Sequence, residues 1–416
     1  MVVQSDLWWQ VVADVVGETH SASGLDIAEV ADRAMHRLGI TAELYLSKRG
    51  QTALVPLLVN GHREPVSIEG TLPGRAFQYM RPTWSSPEGG GAKLWLPMVN
   101  GTERIGVVCF GLPDGLSPED GEVRERCAVL AGLFGHIIAT KFVYGDFLHV
   151  TRRTVPFTAE AELLWQLLPP LTYASRDMVI SVTLEPCERV GGDAFDYAID
   201  GEQAFCALFD AVGHDMQSGL TAAVALAAIR SARRRGVCEL PEMARIADEA
   251  IIANRPSSAR FVTAFLAWFE PATGELTYLV AGHPPPLLLR ADKTVKELEP
   301  TRRVPLGFTD SPTVQPRRKR LEPGDRLLLF TDGIPEARGR DGELFGIRRF
   351  REFALEALTS GLPAPETLRR LMHRFLRYQD GQIQDDATMM LVDWRPSPAM
   401  RPLGPAQARN VDPLPP

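Results

Sequence analysis

An α+β fold in two units is what the sequence predicts, and three observations carry that reading. The chain of 416 residues is long for one hydrophobic core. Strand-like runs bounded by Gly, Asn and Pro alternate with helical stretches in both halves. Between the halves, and again near the C-terminus, the pattern gives way to Pro-punctuated segments. The expected boundaries are a first domain over residues 1–143, a linker helix region over 144–174, a second domain over 175–394 and a disordered Pro-rich tail over 395–416.

In the first domain, residues 26–38 place Ile27, Val30, Ala31, Ala34 and Leu38 at helical spacing, with acids near the start. Strands are predicted over 42–46, 52–59, 93–99 and 103–110, and Asn100-Gly101 marks a hairpin turn between the last two. Ser117-Pro118-Glu119-Asp120 opens a long helix over 122–143. In the linker, Leu163, Leu164, Trp165, Leu167 and Leu168 form a short amphipathic helix stopped by Pro169-Pro170, suited to pack on one domain or on a partner copy. Cys109 and His136 read as ordinary core and helix residues rather than cofactor ligands.

Bulk composition excludes several classes. A net charge of −7 argues against nucleic acid as the main partner, because phosphate backbones are gripped by dense Lys/Arg surfaces. The basic runs Arg233-Arg234-Arg235 and Arg317-Arg318-Lys319-Arg320 read as solvated charge. Five scattered cysteines give neither a disulfide framework nor a zinc pattern, which fits a reducing compartment. No leader-like N-terminus is seen, and residues 128–140 are too short an apolar stretch to span a bilayer, so a cytoplasmic protein without membrane contact is expected.

The second domain carries the chemistry. Helices are predicted over 221–234 and 241–253, followed by a hairpin of 261–269 and 275–281. Four aspartates stand at strand ends: Asp193 after Gly191-Gly192, Asp210 after an apolar run, Asp332 before Gly333, and Asp385 just ahead of another apolar run. A carboxylate at a strand end sits on a rigid element while facing a cleft, which suits a hard cation such as Mg²⁺ or Mn²⁺. One such Asp is usually a turn or cap residue. Four of them, with antiparallel strands between and helices outside, suggest a layered sandwich around a two-metal hydrolytic centre.

Five motifs occur in order: Gly191-Gly192-Asp193-Ala194-Phe195-Asp196-Tyr197, Asp210-Ala211-Val212-Gly213-His214, Ala281-Gly282-His283-Pro284-Pro285, Phe330-Thr331-Asp332-Gly333-Ile334 and Asp385-Asp386-Ala387-Thr388. Together they are similar to the motif series of PPM-type protein phosphatases, in the SpoIIE-like branch of bacterial signalling enzymes. The resemblance implies a phosphoserine/phosphothreonine phosphatase with two Mn²⁺ or Mg²⁺ ions in a four-layer αββα sandwich. It implies that Asp210 bridges both ions, that the Ala211 carbonyl adds an oxygen, that Asp193 holds one ion and that Asp332 and Asp385 complete the other. Asp386, where many relatives have Asn, would support the site from behind, and Gly191, Gly192, Gly213 and Gly333 would serve backbone geometry. His214 is a candidate proton donor, although a structural loop role is commoner for such a histidine. Asp196 and His283 read as structural. Asp215 departs from the glycine of many relatives, and Asp tolerates a tight backbone path better than most residues, so activity is expected to be retained.

The pattern of the first domain resembles a GAF-type sensory module, with a PAS-like domain as its near neighbour. The whole then resembles a sensor-regulated phosphatase whose substrate would be a phosphorylated STAS-type anti-sigma-factor antagonist or similar phosphoprotein, most simply acting as a homodimer. Two alternatives stand beside it: a catalytically inactive, phosphoprotein-binding regulator, and a hydrolase of small phosphoesters.

Overall fold

A computed structural model describes residues 2–58, 63–86, 91–186, 189, 191–213, 215–254, 260–308, 312–340, 342–380, 383–394 and 408–409. Its contacts divide the chain into two compact units, Met1–Pro156 together with Arg401–Pro416, and Phe157–Met400.

The first unit runs α1 (Val2–Ser21), α2 (Ile27–His36), β1 (Thr41–Ser47), β2 (Ala53–Pro56), β3 (Val66–Ser67), α3 (Leu72–Tyr79), β4 (Thr83–Ser85), β5 (Ala92–Asn100), β6 (Glu103–Leu112), α4 (Gly121–Lys141) and α5 (Phe147–Arg152). Its strands form one antiparallel sheet in the order β3-β2-β1-β6-β5-β4. The two-residue period of the strands sorts the core into two faces. Leu44, Leu46, Leu94, Leu96, Val108 and Phe110 pack on one side with Trp8, Val11 and Val15 of α1, Ile27 and Met35 of α2, and Leu130 and Phe134 of α4. Tyr45, Trp95, Val107 and Cys109 face the other side, where Phe77 of α3 is fully buried among them. Gly101 closes the β5–β6 hairpin at a φ of +59°, a conformation that glycine adopts without penalty.

Several features of this unit differ from expectation. Helices α1, α3 and α5 were not anticipated, although Trp8, Val11 and Val15 of α1 stand at helical spacing. The apolar stretch at 128–140 is part of a longer helical run, Gly121–Tyr144, whose 24 residues include an 18-residue window with a mean hydropathy of 1.6, long and apolar enough to cross a membrane by length and composition. Its Cys127, Leu130, Ala131, Phe134 and Ile138 are buried in the core of the unit. The tail expected to be disordered lies outside the described residues except for Ala408 and Arg409, which are seated on α4: the Arg124 guanidinium donates to both of their carbonyls.

The second unit runs α6 (Ala159–Leu167), β7 (Thr172–Ala174), β8 (Met178–Glu185), β9 (Asp193–Asp200), β10 (Gln203–Ala211), α7 (Met216–Arg234), α8 (Leu240–Asn254), β11 (Val262–Glu270), β12 (Glu275–Ala281), β13 (Leu287–Leu289), β14 (Val295–Glu297), β15 (Arg317–Arg320), β16 (Arg326–Phe330), α9 (Gly346–Thr359), α10 (Ala364–Tyr378) and β17 (Ala387–Trp394). The described strands form two antiparallel sheets, β15-β12-β11-β10-β9 and β14-β13-β16-β17-β8-β7. Between them lies a core of Ile180, Val182, Phe195, Leu208, Phe265, Leu329, Met390 and Val392. Outside the first sheet, Phe205, Phe209 and Leu266 meet Leu164 of α6, Leu226 and Ile229 of α7 and Met243 of α8. Outside the second, Leu328, Phe330 and Leu391 meet Phe350 of α9 and Leu371 and Phe375 of α10. The result is a four-layer helix–sheet–sheet–helix sandwich.

The region expected to bridge the domains is split. Helix α5 belongs to the first unit, whereas α6 and β7 belong to the second, because Ala161 and Leu164 are fully buried beneath α7 and β7 pairs with β8. Helices α9 and α10 were also not anticipated, although Leu368, Leu371, Met372 and Phe375 give α10 a regular apolar stripe.

Candidate metal centre

The acids collect at one end of the sandwich because each lies where a strand begins or stops. Asp193 opens β9 and Asp210 is the next-to-last residue of β10, and the two stand directly opposite one another in the antiparallel ladder. The β16–β17 ladder of the other sheet ends at Phe330 opposite Met389, so Asp332 and Asp385 leave that sheet just beyond the last pair. Thr331 ties the two ends together: its Oγ1 donates to Asp193 Oδ2 at 2.8 Å and accepts from the Thr388 amide at 3.0 Å. Each sheet thus supplies two of the four acids.

Asp386 forms a second bridge between the layers. Its Oδ2 accepts from the amides of Gly191 at 2.8 Å and Gly192 at 2.7 Å, and more distantly from Asp193 at 3.4 Å. It holds the turn that delivers Asp193. Glycine is required here by close backbone approach: a Cβ on Gly192 would stand 2.6 Å from the Ala211 carbonyl oxygen and 3.0 Å from that of Gly213, and one on Gly333 would stand 2.0 Å from the Asp386 carbonyl oxygen. Gly213 itself has a φ of +93°. The Ala211 carbonyl therefore lies at the same β9–β10 end as the acids.

Burial and mutual repulsion raise these carboxyls together. Asp210 is pushed up to about 8, first by burial and then by Asp332, Asp385 and Asp386. Asp193 is driven well above the ordinary carboxylate range by burial and by Asp210 and Asp386. Asp332 is raised by burial, Glu336 and Asp385, and Asp386 by burial against the pull of its three amides. Besides burial, carboxylates, amides and hydroxyls are the groups that lead these shifts. Among the described residues no three acidic, His or Cys side chains are already drawn into a single cation-holding group. The donor set still fits hard divalent cations: it is all oxygen and mounted at strand ends.

Other candidates fall away from the acids. Asp196 lies three residues along β9 from Asp193, hence on the opposite face, where it pairs with Arg230 at 2.6 Å and Arg233 at 3.0 Å of α7. His214 lies outside the described residues. Asp215 needs no special backbone freedom, since its φ is −106°; it caps α7, accepting from the Ser218 amide and hydroxyl, both at 2.9 Å, and from Arg260 at 2.9 Å. Those bonds hold its carboxyl down at about 2. Thr331, Thr388 and Glu336 were not singled out from the sequence, although both threonines sit inside the quoted motifs.

His283 is buried, with Nδ1 2.8 Å from Thr263 Oγ1, and burial depresses it to about 3. It stays neutral in the folded protein while the unfolded chain takes up a proton below about 6.5. Its contribution to stability is therefore whole above that pH and declines as pH falls toward 3, by at most about 1.4 kcal/mol per unit. His283→Gln is expected to flatten the wild-type fall in urea midpoint between pH 7 and 5; equal slopes for both proteins would disprove the assignment.

Comparison with known proteins finds a family model that spans Asp210, Asp332 and Asp385 and begins after Asp193. Residues 200–395 match the profile of Stage II sporulation protein E (SpoIIE). Protein IcfG of Synechocystis is 24% identical over 244 residues, covering 51% of this chain and 37% of that protein. Phosphoserine phosphatase RsbU of Bacillus subtilis is 25% identical over 210 residues, covering 50% of this chain and 60% of that protein. The crystal structure of the RsbU and RsbW domains of Rv1364c from Mycobacterium tuberculosis aligns with a TM-score of 0.49 and 26% identity, over 56% of this chain and 64% of that one. The chain thus spans less than two thirds of the length of each of these relatives.

Proposed function

We propose that the second unit, whose residues 200–395 match the SpoIIE family model, is a metal-dependent protein serine/threonine phosphatase of the PPM type in bacterial signalling. The observation that carries this reading is the meeting of Asp193, Asp210, Asp332 and Asp385 at one end of the two sheets, locked by the Thr331–Asp193 bond and by the Asp386 clamp on Gly191 and Gly192. Asp210 would hold both Mn²⁺ or Mg²⁺ ions, with the Ala211 carbonyl adding an oxygen; Asp193 would hold one of them, and Asp332 with Asp385 the other. Divalent cations at such a site neutralise phosphoryl oxygens and acidify a water, the two obstacles to hydrolysis of a phosphate monoester. The chain's own part is to fix those oxygens before substrate arrives: Asp386 orients the 191–193 turn, Thr331 orients the Asp193 carboxylate, and the glycines admit the close backbone contacts.

The likeness to RsbU, a phosphoserine phosphatase, supports a phosphoprotein substrate, for which a STAS-type anti-sigma-factor antagonist is the proposed class. The first unit, one antiparallel sheet covered by helices, is proposed as a GAF-like sensory domain that regulates turnover in a cytoplasmic homodimer. The test is phosphate release by the purified full chain from a phosphoserine-bearing STAS domain, with EDTA and then with millimolar Mn²⁺. Release that needs the cation and returns on its addition is expected. Release from p-nitrophenyl phosphate alone would point to a small-ester hydrolase, and binding of the phosphoprotein without release would leave only a docking role.

A further inference from the structure

The two described residues of the C-terminal segment sit in a recess of the first unit that is built to receive main chain. Arg124 of α4 is only 6% exposed, yet its acceptors are all backbone carbonyls: Nη1 donates to Pro118 at 2.8 Å, Nε to Ala408 at 3.1 Å and Nη2 to Arg409 at 2.6 Å. The Trp84 ring lies 5.2 Å from the guanidinium carbon. A buried guanidinium is costly when its donors go unmet, and two of its three partners come from more than 280 positions away in the chain.

Two further observations point the same way. Gly121, the first residue of α4, leaves room for Arg409: a Cβ there would stand 2.7 Å from the Arg409 carbonyl oxygen and 2.9 Å from its Cγ. At the rim, Arg409 Nη1 lies 3.6 Å from Glu125, while Ala408 is buried to within 3% exposure. The recess has a floor without a side chain, a donor fork for two successive carbonyls, space for a methyl group and an acid for the cation that follows.

We propose that this recess is a peptide-docking site whose occupant is the chain's own C-terminal segment around Ala408-Arg409, held reversibly and in the same molecule. The chain leaves the first unit after Pro156, forms the second unit over Phe157–Met400, and belongs to the first again over Arg401–Pro416. The docked segment is thereby a second tether on the regulatory unit, one that can be released without unfolding either core.

The experiment compares the full chain with a chain ended after Met400, each with and without Gly121→Ala, and uses a fluorescein-labelled peptide of residues 401–416 as probe. Gly121→Ala adds only a methyl group at a helix start, so folding is preserved. The peptide is expected to bind the shortened chain saturably and at least about tenfold less tightly after Gly121→Ala. Gly121→Ala is expected to lower the melting temperature of the full chain and leave that of the shortened chain unchanged. The full chain should exclude the peptide at every protein concentration. The idea fails if the peptide shows no saturable binding, if Gly121→Ala acts equally with and without the tail, or if exclusion fades on dilution, which would make the docked segment that of a second copy.

Discussion

Asp210→Asn is expected to lower kcat/KM by about 10³-fold or more, since it removes charge from the carboxylate nearest the centre of the acidic group, where a loss of several kcal/mol of phosphoryl-charge stabilisation is at stake. The same substitution should leave the cation-free protein as stable as wild type or more so. Burial, and then repulsion from Asp332, Asp385 and Asp386, push Asp210 up to about 8, so a neutral amide relieves strain that the native protein carries. Wild type should gain melting temperature on addition of Mn²⁺, through preferential binding to the folded state, and Asp210→Asn should gain less. Turnover within a few-fold of wild type, together with an unchanged Mn²⁺ response, would remove Asp210 from the centre and with it the reading of the whole site.

Asp196→Ala is expected to cost the second unit about 3–5 kcal/mol of stability. The Asp196 side chain is 2% exposed, and the guanidinium groups of Arg230 and Arg233 that it accepts from are 18% and 11% exposed. Removing the acid strands two cations at the junction of β9 and α7. For a unit of this size the melting temperature should drop by roughly 10 °C, and urea unfolding should show the same deficit. Replacing the three residues together by apolar ones should recover much of it, because a buried ion pair is costly chiefly when half of it is missing. A fall of under about 2 °C for Asp196→Ala would show that water already screens the cluster.

The contrast between Asp193 and Asp196 shows what a sequence can disclose. Both acids lie in one motif, and the strand period alone separates them: a difference of three residues puts them on opposite faces. The strand-end placement of Asp193, Asp210, Asp332 and Asp385 was legible because each closes or precedes an apolar run flanked by glycine. What joins them was not. The Thr331 bond to Asp193 and the Asp386 clamp on residues 191–193 span 138 and about 195 positions of chain, and nothing local in Phe-Thr-Asp-Gly or Asp-Asp-Ala-Thr announces a partner so distant.

Asp215 is the reverse case. Its local signal, an Asp three residues before Ser218 at the head of an Ala-rich helix, is that of an N-cap, and comparison with the glycine of relatives hid it. The linker was legible in part. Its apolar run over 163–168 gave the helix that packs on the second unit as α6, with Ala161 and Leu164 buried beneath α7, whereas a strand as short as Thr172–Ala174 is defined only by its pairing with β8. Helix α1 and helices α9 and α10 escaped because their apolar residues are interleaved with charge, and tertiary packing decides such segments more than propensity does.

The division of the acids between two sheets has a mechanical consequence. The sheets share a core of side chains, with the threonine bond and the aspartate clamp as polar stitches at the rim. Sliding one β-layer over the other by a fraction of an ångström would part Asp193 and Asp210 from Asp332 and Asp385 without breaking a single strand ladder. The spacing of the four acids is therefore set by side-chain packing between the layers as much as by the ladders within them.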